Sequence, residues 1–292
     1  MQNGMQKSND LPLRNGAADR EGFAAAQSAM EKNAAARREQ TDKEINGTLF
    51  AMEKSAAARR EQADKEKTAA MRREQAARLA ADFRAGEELK KRWKAEGVRP
   101  RLLLHSCCAP CSSAVIENLR EAFDLTLYYY NPNVAPESEY EKRKREQLRL
   151  AAVLGIPVLD CDYDGARYDF AVQGLENEPE RGARCTVCFR LRLQKTAEAA
   201  KQGRFDYFCT TLSVSPYKNA ALLNEIGKEE GAFVGVPYFP SDFKKKGGYL
   251  RSVELARKYG LYRQDYCGCV YSKAARKKQK AEREGQKAAP EK

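Results

Sequence analysis

Seven of the nine cysteines form three clusters at wide intervals along the chain. They are Cys107, Cys108 and Cys111 in HSCCAPC, Cys185 and Cys188 in CTVC, and Cys267 and Cys269 in CGC. More than 70 residues separate each cluster from the next, so only the fold can bring them together. Thiolates bind borderline and soft metals and act as nucleophiles and redox groups. The sequence therefore predicts one polythiolate site.

Two kinds of metal fit such a site. A closed structural zinc uses four thiolates, which leaves three of the seven without a ligand role. An iron-sulfur cluster also uses four, and the surplus can serve as a redox pair or as ligands to a further iron. A disulfide between Cys267 and Cys269 would be strained and readily reduced, because only one residue separates them. The spacing favours a redox metal, with structural zinc as the alternative.

Three further residues with reactive side chains stand apart from the clusters. Cys161 and Cys209 lie in predicted strands, where a free cysteine is usually a buried apolar residue. His105, the only histidine, ends the first predicted strand two residues before Cys107. We expect it to be a hydrogen-bonded residue of the strand end, with a role as proton donor or as partner of a ligand thiolate as the alternative.

Strands and helices alternate from Arg101 onward. The predicted strands are RLLLH, DLTLYYYNP, IPVLDCDYD, DYFCTTL and AFVGVPYF, with amphipathic helices between most of them. Such alternation predicts an α/β fold with a mostly parallel, doubly wound sheet, which we class as nucleotide-hydrolase-like. Ligands bind beyond the carboxyl ends of the strands in such sheets. The first cysteine cluster follows the first strand directly and precedes a helix that we expect to be capped by Ser112 or Ser113.

Composition divides the chain into three parts. Residues 1–98 form a charged, partly helical extension rich in Ala, Lys, Arg and Glu, in which AMEKNAAARREQTDKE returns after 22 residues as AMEKSAAARREQADKE. Residues 99–272 contain all nine cysteines and form the predicted catalytic domain. Residues 273–292 are a basic tail with eight Lys and Arg against three Glu. A basic tail can attract a polyanion such as nucleic acid, although a solvated tail is an equal alternative.

Cysteine usage and hydropathy indicate the compartment. The chain has no signal-like start and no apolar run of the roughly 18 residues that a membrane-spanning helix needs. A chain with many cysteines and no secretion signal is typical of a reducing compartment. We therefore expect a cytoplasmic protein without a membrane partner.

Six segments resemble, in order, the epoxyqueuosine reductases that use iron but no cobalamin. They are HSCCAPCS, YYNPN followed by EYEKR, RCTVCFRLRLQKTA, FDYFCTTLSVSPYKN, DFKKKGGY and LYRQDYCGCVYS, and together they cover about residues 102–272. The resemblance implies reduction of epoxyqueuosine to queuosine at the wobble position of tRNA, the final step of queuosine biosynthesis. The partners would be tRNA and an unidentified electron donor.

The resemblance also implies cofactors and their ligands. It assigns a [4Fe-4S] cluster to Cys107, Cys108, Cys185 and Cys188, a redox-active pair to Cys267 and Cys269, and a ligand of a further iron to Cys111. Cobalamin is not expected. The proton donor stays open among Tyr130, His105 and Tyr266.

Four polar residues in the same motifs are candidates for substrate binding: Asn131, Asn133, Arg263 and Gln264. We expect them to bond the base or a phosphate, and the alternative is that they satisfy backbone groups in turns. The three tyrosines 128–130 are expected to pack in a strand, with stacking on the base as the alternative. Other functions left open are a zinc-stabilised RNA-binding module and a sulfur-transferring tRNA-modifying enzyme, although no SGGxDS-like phosphate loop follows the first strand.

Overall fold

The computed structural model of the chain describes residues 18–288, with side chains for 27–43, 46, 50 and 52–284. The chain forms two compact units, Met1–Met71 and Arg72–Lys292. Across the described residues, no helix combines the length and the apolar character that crossing a membrane requires.

The first helix, α1, spans Ala18–Glu96. It is rich in Ala, Glu, Lys and Arg, which have high helix propensity, and pairs such as Lys43–Glu39 at 2.6 Å add support one turn apart. The side chains of residues 52–78 are exposed. Gly97, with φ +67°, ends the helix, and the Val98 amide donates to the Trp93 carbonyl at 2.9 Å.

The last turns of α1 belong to the second unit. Trp93 is 5% exposed, and its ring centroid lies 5.0 Å from that of Phe123 and 5.2 Å from that of Tyr207. Asp82 accepts hydrogen bonds from Asn224 and Lys228. The core of this unit therefore includes side chains from the predicted extension.

Four parallel strands form the sheet, in the order β3-β2-β1-β4. Their bounds are β1 Arg101–His105, β2 Asp124–Tyr128, β3 Val158–Leu159 and β4 Tyr207–Thr210. The order means that the chain winds one way from β1 to β3 and then returns to place β4 on the other side of β1. The helices that follow α1 are α2 (Ala109–Leu119), α3 (Glu137–Leu154), α4 (Gly165–Ala171), α5 (Ala183–Gln202), α6 (Ala220–Val234), α7 (Gly248–Lys258) and α8 (Val270–Ala288).

The packing of these helices agrees with the α/β prediction. Helix α2 packs against α3 and α7, and α5 packs against α4 and α6. Right-handed crossovers running in two directions put such groups on opposite faces of the sheet. The doubly wound, parallel α/β fold is thus confirmed, and its switch point lies between β1 and β4.

Three details of the predicted elements are wrong. The segment AFVGVPYF is not a strand, because α6 continues to Val234 and only an isolated bridge joins Phe208 to Tyr238. The third strand is limited to two residues of IPVLDCDYD. The residue that caps α2 is Cys108, whereas Ser112 and Ser113 lie inside the helix and donate back to the carbonyls of Cys108 and Pro110 at 2.9 Å.

Candidate metal and redox site

The first cysteine cluster lies at the switch point of the sheet. The thiol sulfurs of Cys107, Cys108 and Cys111 all lie within 4.8 Å of one another, close enough to hold one metal ion. The hydroxyl of Thr211, just beyond β4, accepts from the Cys107 amide at 3.0 Å and donates to its sulfur at 3.2 Å. The ends of β1 and β4 therefore fix this triad together.

The triad favours a single thiolate at Cys108. Hydrogen bonds from Cys107 and Cys111 lower the pKa of the Cys108 thiol well below its usual range, and the amide of Cys111 in the first turn of α2 adds to this. The hydrogen bond with Cys108 raises the pKa of Cys107 to about 11, and hydrogen bonds with the other two thiols raise that of Cys111. Metal binding at the triad would displace the remaining protons.

The other four clustered cysteines line a cavity. We call it the smaller cavity, because a larger one lies elsewhere in the second unit. Cys185 and Cys188 come from the first two turns of α5, and Cys267 and Cys269 from the segment before α8; the cavity has a volume of about 20 Å³. Glu180, Arg184, Lys218 and Asn133 complete its polar wall. Among the described residues, the triad is the one set of three or more close ligands, so the structure divides the seven thiols into two groups.

Burial outweighs the helix terminus at Cys185 and Cys188. The Cys185 sulfur accepts from the Arg181 amide at 3.2 Å, which favours a thiolate. Burial nevertheless raises the pKa of Cys185, and it raises that of Cys188 to about 12. A position in the first two turns of a helix therefore does not lower the pKa of these two thiols, because they are buried without the donor set that Cys108 has.

A buried arginine electrostatically connects the two thiol groups. Arg192 is 2% exposed and donates to the side-chain oxygen of Asn131. Burial works against its charge, but attraction to the thiolate forms of Cys188, Cys107 and Cys267 raises the pKa of Arg192. It stands one helical turn after Cys188, the spacing that places two side chains on one face. This spacing is the signal by which the sequence could have shown it.

Lys218 provides a second cation at the smaller cavity. Its Nζ donates to the Cys267 sulfur at 3.0 Å. Burial opposes the charge, but attraction to Cys267 raises the pKa of Lys218 overall. Lys218 lies in the segment after β4, where no periodic pattern connects it to the cysteines, and sequence reasoning assigned it no role.

Gly268 sets the conformation of the last cysteine pair. Its φ is +138°, and a Cβ at this position would lie 2.9 Å from Val134 Cγ2 and 3.1 Å from Arg143 Nη1. Neither flanking cysteine is in a disulfide. A residue with a side chain would meet both backbone strain and a clash here.

Several buried polar atoms beside the thiols have no hydrogen-bond partner. They are the Tyr129 hydroxyl, Asn133 Oδ1, Arg143 Nη2, Gln147 Nε2 and Gln264 Oε1. Gln264 contacts the Cys108 thiol, and the pKa values of Tyr129 and Arg143 respond to the charge of Cys108. Buried polar groups are seldom left unpaired unless a ligand, ion or water completes them. Two of the unpartnered donors, the Tyr129 hydroxyl and Arg143 Nη2, fit an anionic thiolate-bound group, whereas the amide oxygens of Asn133 and Gln264 require a donor.

Two of the predicted substrate-binding residues have hydrogen-bond partners in the protein, and two have an unpartnered oxygen. Asn131 is buried, and its side chain bonds at both ends: the oxygen accepts from Arg192, and the amide donates to the Ser106 carbonyl at 2.8 Å. Arg263 is exposed and donates to the Tyr249 hydroxyl at 3.0 Å. Asn133 and Gln264 each have an unpartnered oxygen near the thiols. Their roles toward substrate stay predictions.

His105 and the tyrosines 128–130 are buried. The His105 Nε2 lies 3.0 Å from the Tyr130 carbonyl and its Nδ1 lies 2.8 Å from the Thr210 hydroxyl. Burial, followed by the charge of Arg192, lowers the pKa of His105 to about 3. The three tyrosines are at most 4% exposed. These positions agree with the structural roles expected for them rather than with proton donation or base stacking.

A larger cavity lies elsewhere in the second unit. Its volume is about 270 Å³, and its wall includes Phe83, Glu117, Phe239 and Lys245 but no cysteine. The larger cavity is therefore separate from both thiol groups.

Comparison with known proteins identifies the family. A family model described as epoxyqueuosine reductase QueH matches residues 102–275. The chain is 43% identical over 195 residues to "Epoxyqueuosine reductase QueH" of Streptococcus pyogenes, which covers 65% of this chain and 76% of the relative. It is 36% identical over 184 residues to the protein of the same name from Thermotoga maritima, covering 62% of this chain and 94% of the relative.

The matched region contains β1 to β4 and all seven clustered cysteines. It includes the triad, the smaller cavity and the cations Arg192 and Lys218. The chain therefore belongs to the epoxyqueuosine reductase QueH family.

Proposed function

We propose that this chain reduces epoxyqueuosine to queuosine at the wobble position of tRNA. The observation that carries the proposal is the presence of a thiol triad and of a four-thiol cavity lined by Lys218, in a chain of this family. The reaction breaks both carbon–oxygen bonds of the epoxide, forms a carbon–carbon double bond, and consumes two electrons and two protons to release water. The electron donor is a separate, unidentified partner.

The cofactor that we propose is a [4Fe-4S] cluster with a further iron. The donor set suits it, because soft thiolates are the usual cluster ligands. The family resemblance assigns the cluster to Cys107, Cys108, Cys185 and Cys188, with Cys111 for the further iron. A second partition takes its support from the close triad, with Cys111 as a cluster ligand beside Cys107 and Cys108. When bound, such a centre supplies electrons and a Lewis-acidic iron.

The chain's own residues would prepare the site for this chemistry. Arg192 and Lys218 place two buried or half-buried positive charges against the thiols, which favours thiolate over thiol. The pair Cys267 and Cys269 is proposed to take part in electron transfer as a dithiol that closes to a disulfide, releasing two electrons and two protons.

The target base would be bound next to the smaller cavity. Asn133 lines this cavity, and its side-chain oxygen has no hydrogen-bond partner among the described residues. Tyr217, next to Lys218, is 57% exposed and lies under the guanidinium of Arg181, 5.6 Å from ring centroid to Cζ. An unpaired anticodon base can be extruded and stacked on such an aromatic ring.

Anaerobic metal analysis joined to turnover tests the proposal. The purified chain should contain iron and acid-labile sulfide and convert epoxyqueuosine tRNA when given a reductant. A colourless chain with stoichiometric zinc and no turnover would instead support a zinc-stabilised RNA-binding module.

Single cysteine variants distinguish the two partitions. If Cys185 is a cluster ligand, Cys185→Ser loses most sulfide, whereas Cys111→Ser loses only part of the iron. If the triad holds the cluster, Cys111→Ser loses the sulfide. Cys209→Ser is the matched control, because Cys209 is buried in β4 and bonds the Phe239 carbonyl at 3.2 Å, away from both thiol groups. Full cluster and full turnover in both test variants would contradict either assignment.

A further inference from the structure

The helix α8 starts directly after the last cysteine of the site. It begins at Val270, one residue past Cys269. Its first turn is packed, because Ser272 is buried and the guanidinium of Arg184 lies 4.1 Å above the Tyr271 ring. From residue 276 to 284, every side chain is exposed. Most of α8 therefore covers no core and extends from the thiol site into solvent.

The exposed part of α8 carries positive charge mainly on one face. The helix has seven Lys and Arg against two Glu. Spacings of three and four residues place five cations on the same face, over about 15 Å of helix: Lys273, Arg276, Lys277, Lys280 and Arg283. We call the four of them beyond Lys273 the α8 basic stripe. Glu284 is the one acidic residue near this face.

The α8 basic stripe has no internal compensation. Among the side chains that the structure describes (27–43, 46, 50 and 52–284), none of these four forms an ion pair, and Arg276 contacts only the Gln279 amide oxygen at 3.3 Å. Other surface arginines differ: Arg190 pairs with Glu229 and Glu230, and Arg251 with Glu117 and Glu254. Like charges three or four residues apart destabilise a helix. A polyanion bound along the stripe would remove this repulsion.

A solvated helix end would not need such a one-sided distribution. The segment of α1 from 27 to 71 shows the contrast, since its nine Lys and Arg are interleaved with eight Asp and Glu. The macrodipole favours cations only in the last turn of a helix. Arg276, Lys277 and Lys280 lie before that turn, so this effect does not account for them.

We propose that the α8 basic stripe binds the phosphate backbone of the substrate tRNA and so holds its anticodon loop at the thiol site. The inference rests on the proposed function for the identity of the RNA. It goes beyond the family match, which ends at residue 275 before the first residue of the stripe. Lys and Arg on an exposed helix contact phosphates without reading sequence. The direct link between α8 and Cys269 keeps the bound backbone within reach of the reacting base.

The test replaces all four cations: Arg276→Gln, Lys277→Gln, Lys280→Gln and Arg283→Gln. Glutamine keeps helix propensity and removes charge. We expect affinity for an unmodified tRNA with the substrate's anticodon to fall at least tenfold in moderate salt. The slope of log Kd against log salt should fall by about 3, since each lost phosphate contact contributes about 0.7–0.9.

Two control variants isolate the stripe. Replacing Arg37, Arg38, Arg59 and Arg60 of α1 with Gln changes the net charge equally and should leave affinity and slope at the native values. Exchanging Lys for Arg and Arg for Lys within the stripe should also retain binding. Iron content and the thermal midpoint of unfolding should match the native chain in every variant, because none of these side chains is buried.

The kinetic arm separates this inference from the proposed function. For epoxyqueuosine tRNA, the fourfold variant should show a raised KM and an unchanged single-turnover rate at saturating tRNA. If the native chain does not convert this tRNA, the proposed function fails, while binding of unmodified tRNA still reports on the stripe. Native affinity and slope in the fourfold variant, or an equal loss in the α1 control, would overturn the inference. The inference would also be overturned if the fourfold variant retained tRNA binding but lost binding of an acidic protein.

Discussion

Lys218 supplies the direct ammonium contact to Cys267. Its Nζ lies 3.0 Å from the sulfur inside a cavity with four thiols. Removal of the ammonium would leave the sulfur without its positively charged hydrogen-bond donor. The function of the last cysteine pair should therefore depend on Lys218.

We predict that Lys218→Met lowers the single-turnover rate about 10- to 100-fold, which corresponds to roughly 1.4 to 3 kcal/mol. Alkylation of Cys267 at neutral pH should slow as well, because the sulfur loses the positively charged donor that contacts it at 3.0 Å. Lys201→Met is the control, since Lys201 is an exposed lysine of α5. Native rates of both turnover and alkylation in Lys218→Met would show that the contact has no chemical role.

The sequence alone predicted which cysteines form the site, but not how these cysteines divide into two groups. The clusters, their thiol chemistry and the place of the first cluster after β1 follow from residue spacing. The division into a triad and a four-thiol cavity does not, because it depends on where α5 and the segment before α8 meet. Lys218 was missed because no periodic pattern connects it to the cysteines, and Arg192 was missed although it follows Cys188 by one helical turn.

The last turns of α1 pack into the core of the second unit, which contains both thiol groups and which we call the catalytic unit. Trp93 packs between Phe123, Tyr207 and Phe239, with ring centroids 5.0 to 6.3 Å away. Burying a tryptophan contributes several kcal/mol, because it removes a large apolar area from water. Residues before the family match thus contribute to the stability of the matched domain.

We predict that Trp93→Ala lowers the free energy of unfolding by about 3–5 kcal/mol. Denaturant unfolding measures this loss, and Lys94→Ala serves as the control, because Lys94 is an exposed neighbour in α1. A loss below about 1 kcal/mol in Trp93→Ala would mean that this contact is not part of the cooperative core.

Element prediction succeeded where a single pattern dominated. The strands β1, β2 and β4 and the helices α3 and α5 follow from buried apolar runs and from periodic helical segments. The segment AFVGVPYF failed because its β-branched and aromatic residues resemble a strand, while Ala232 to Val234 extend α6 as far as Gly235, which ends it with φ +76°. Helices α4, α7 and α8 were missed. The first two are short and have weak periodicity, and α8 lies mostly in the segment that we predicted to be a basic tail.

At the scale of the whole molecule, the chain divides within α1. One unit ends at Met71, and the other begins at Arg72 and contains the entire family match. None of the described residues of the first unit belongs to either thiol group. Its side chains from 52 to 71 are exposed and belong to no hydrophobic core, so removing them should not expose buried apolar surface.

We predict that a chain starting at Arg72 keeps native iron and sulfide content, with turnover within about twofold of the full chain. The reason is that the catalytic unit retains Trp93 and the salt bridges of Glu87 with Lys90 and Lys246. The comparison requires metal analysis and kcat on the same tRNA. A chain starting at Val98 is the contrasting variant and should be much less stable, because it lacks Trp93. Loss of the metal centre from the Arg72 chain would show that the first unit is needed for assembly.

The glycine between the last two cysteines has a consequence for how this protein can vary. At position 268 the backbone bends in a way that chiral residues avoid, and the volume that a methyl group would need is already taken by Val134 and Arg143. Even alanine would force the two sulfurs apart or move the arginine that bonds the Cys267 carbonyl at 3.0 Å. Substitution of Gly268 by any residue with a side chain is therefore strongly disfavoured. The absence of a Cβ at this position allows the backbone conformation that sets the separation of the two thiols.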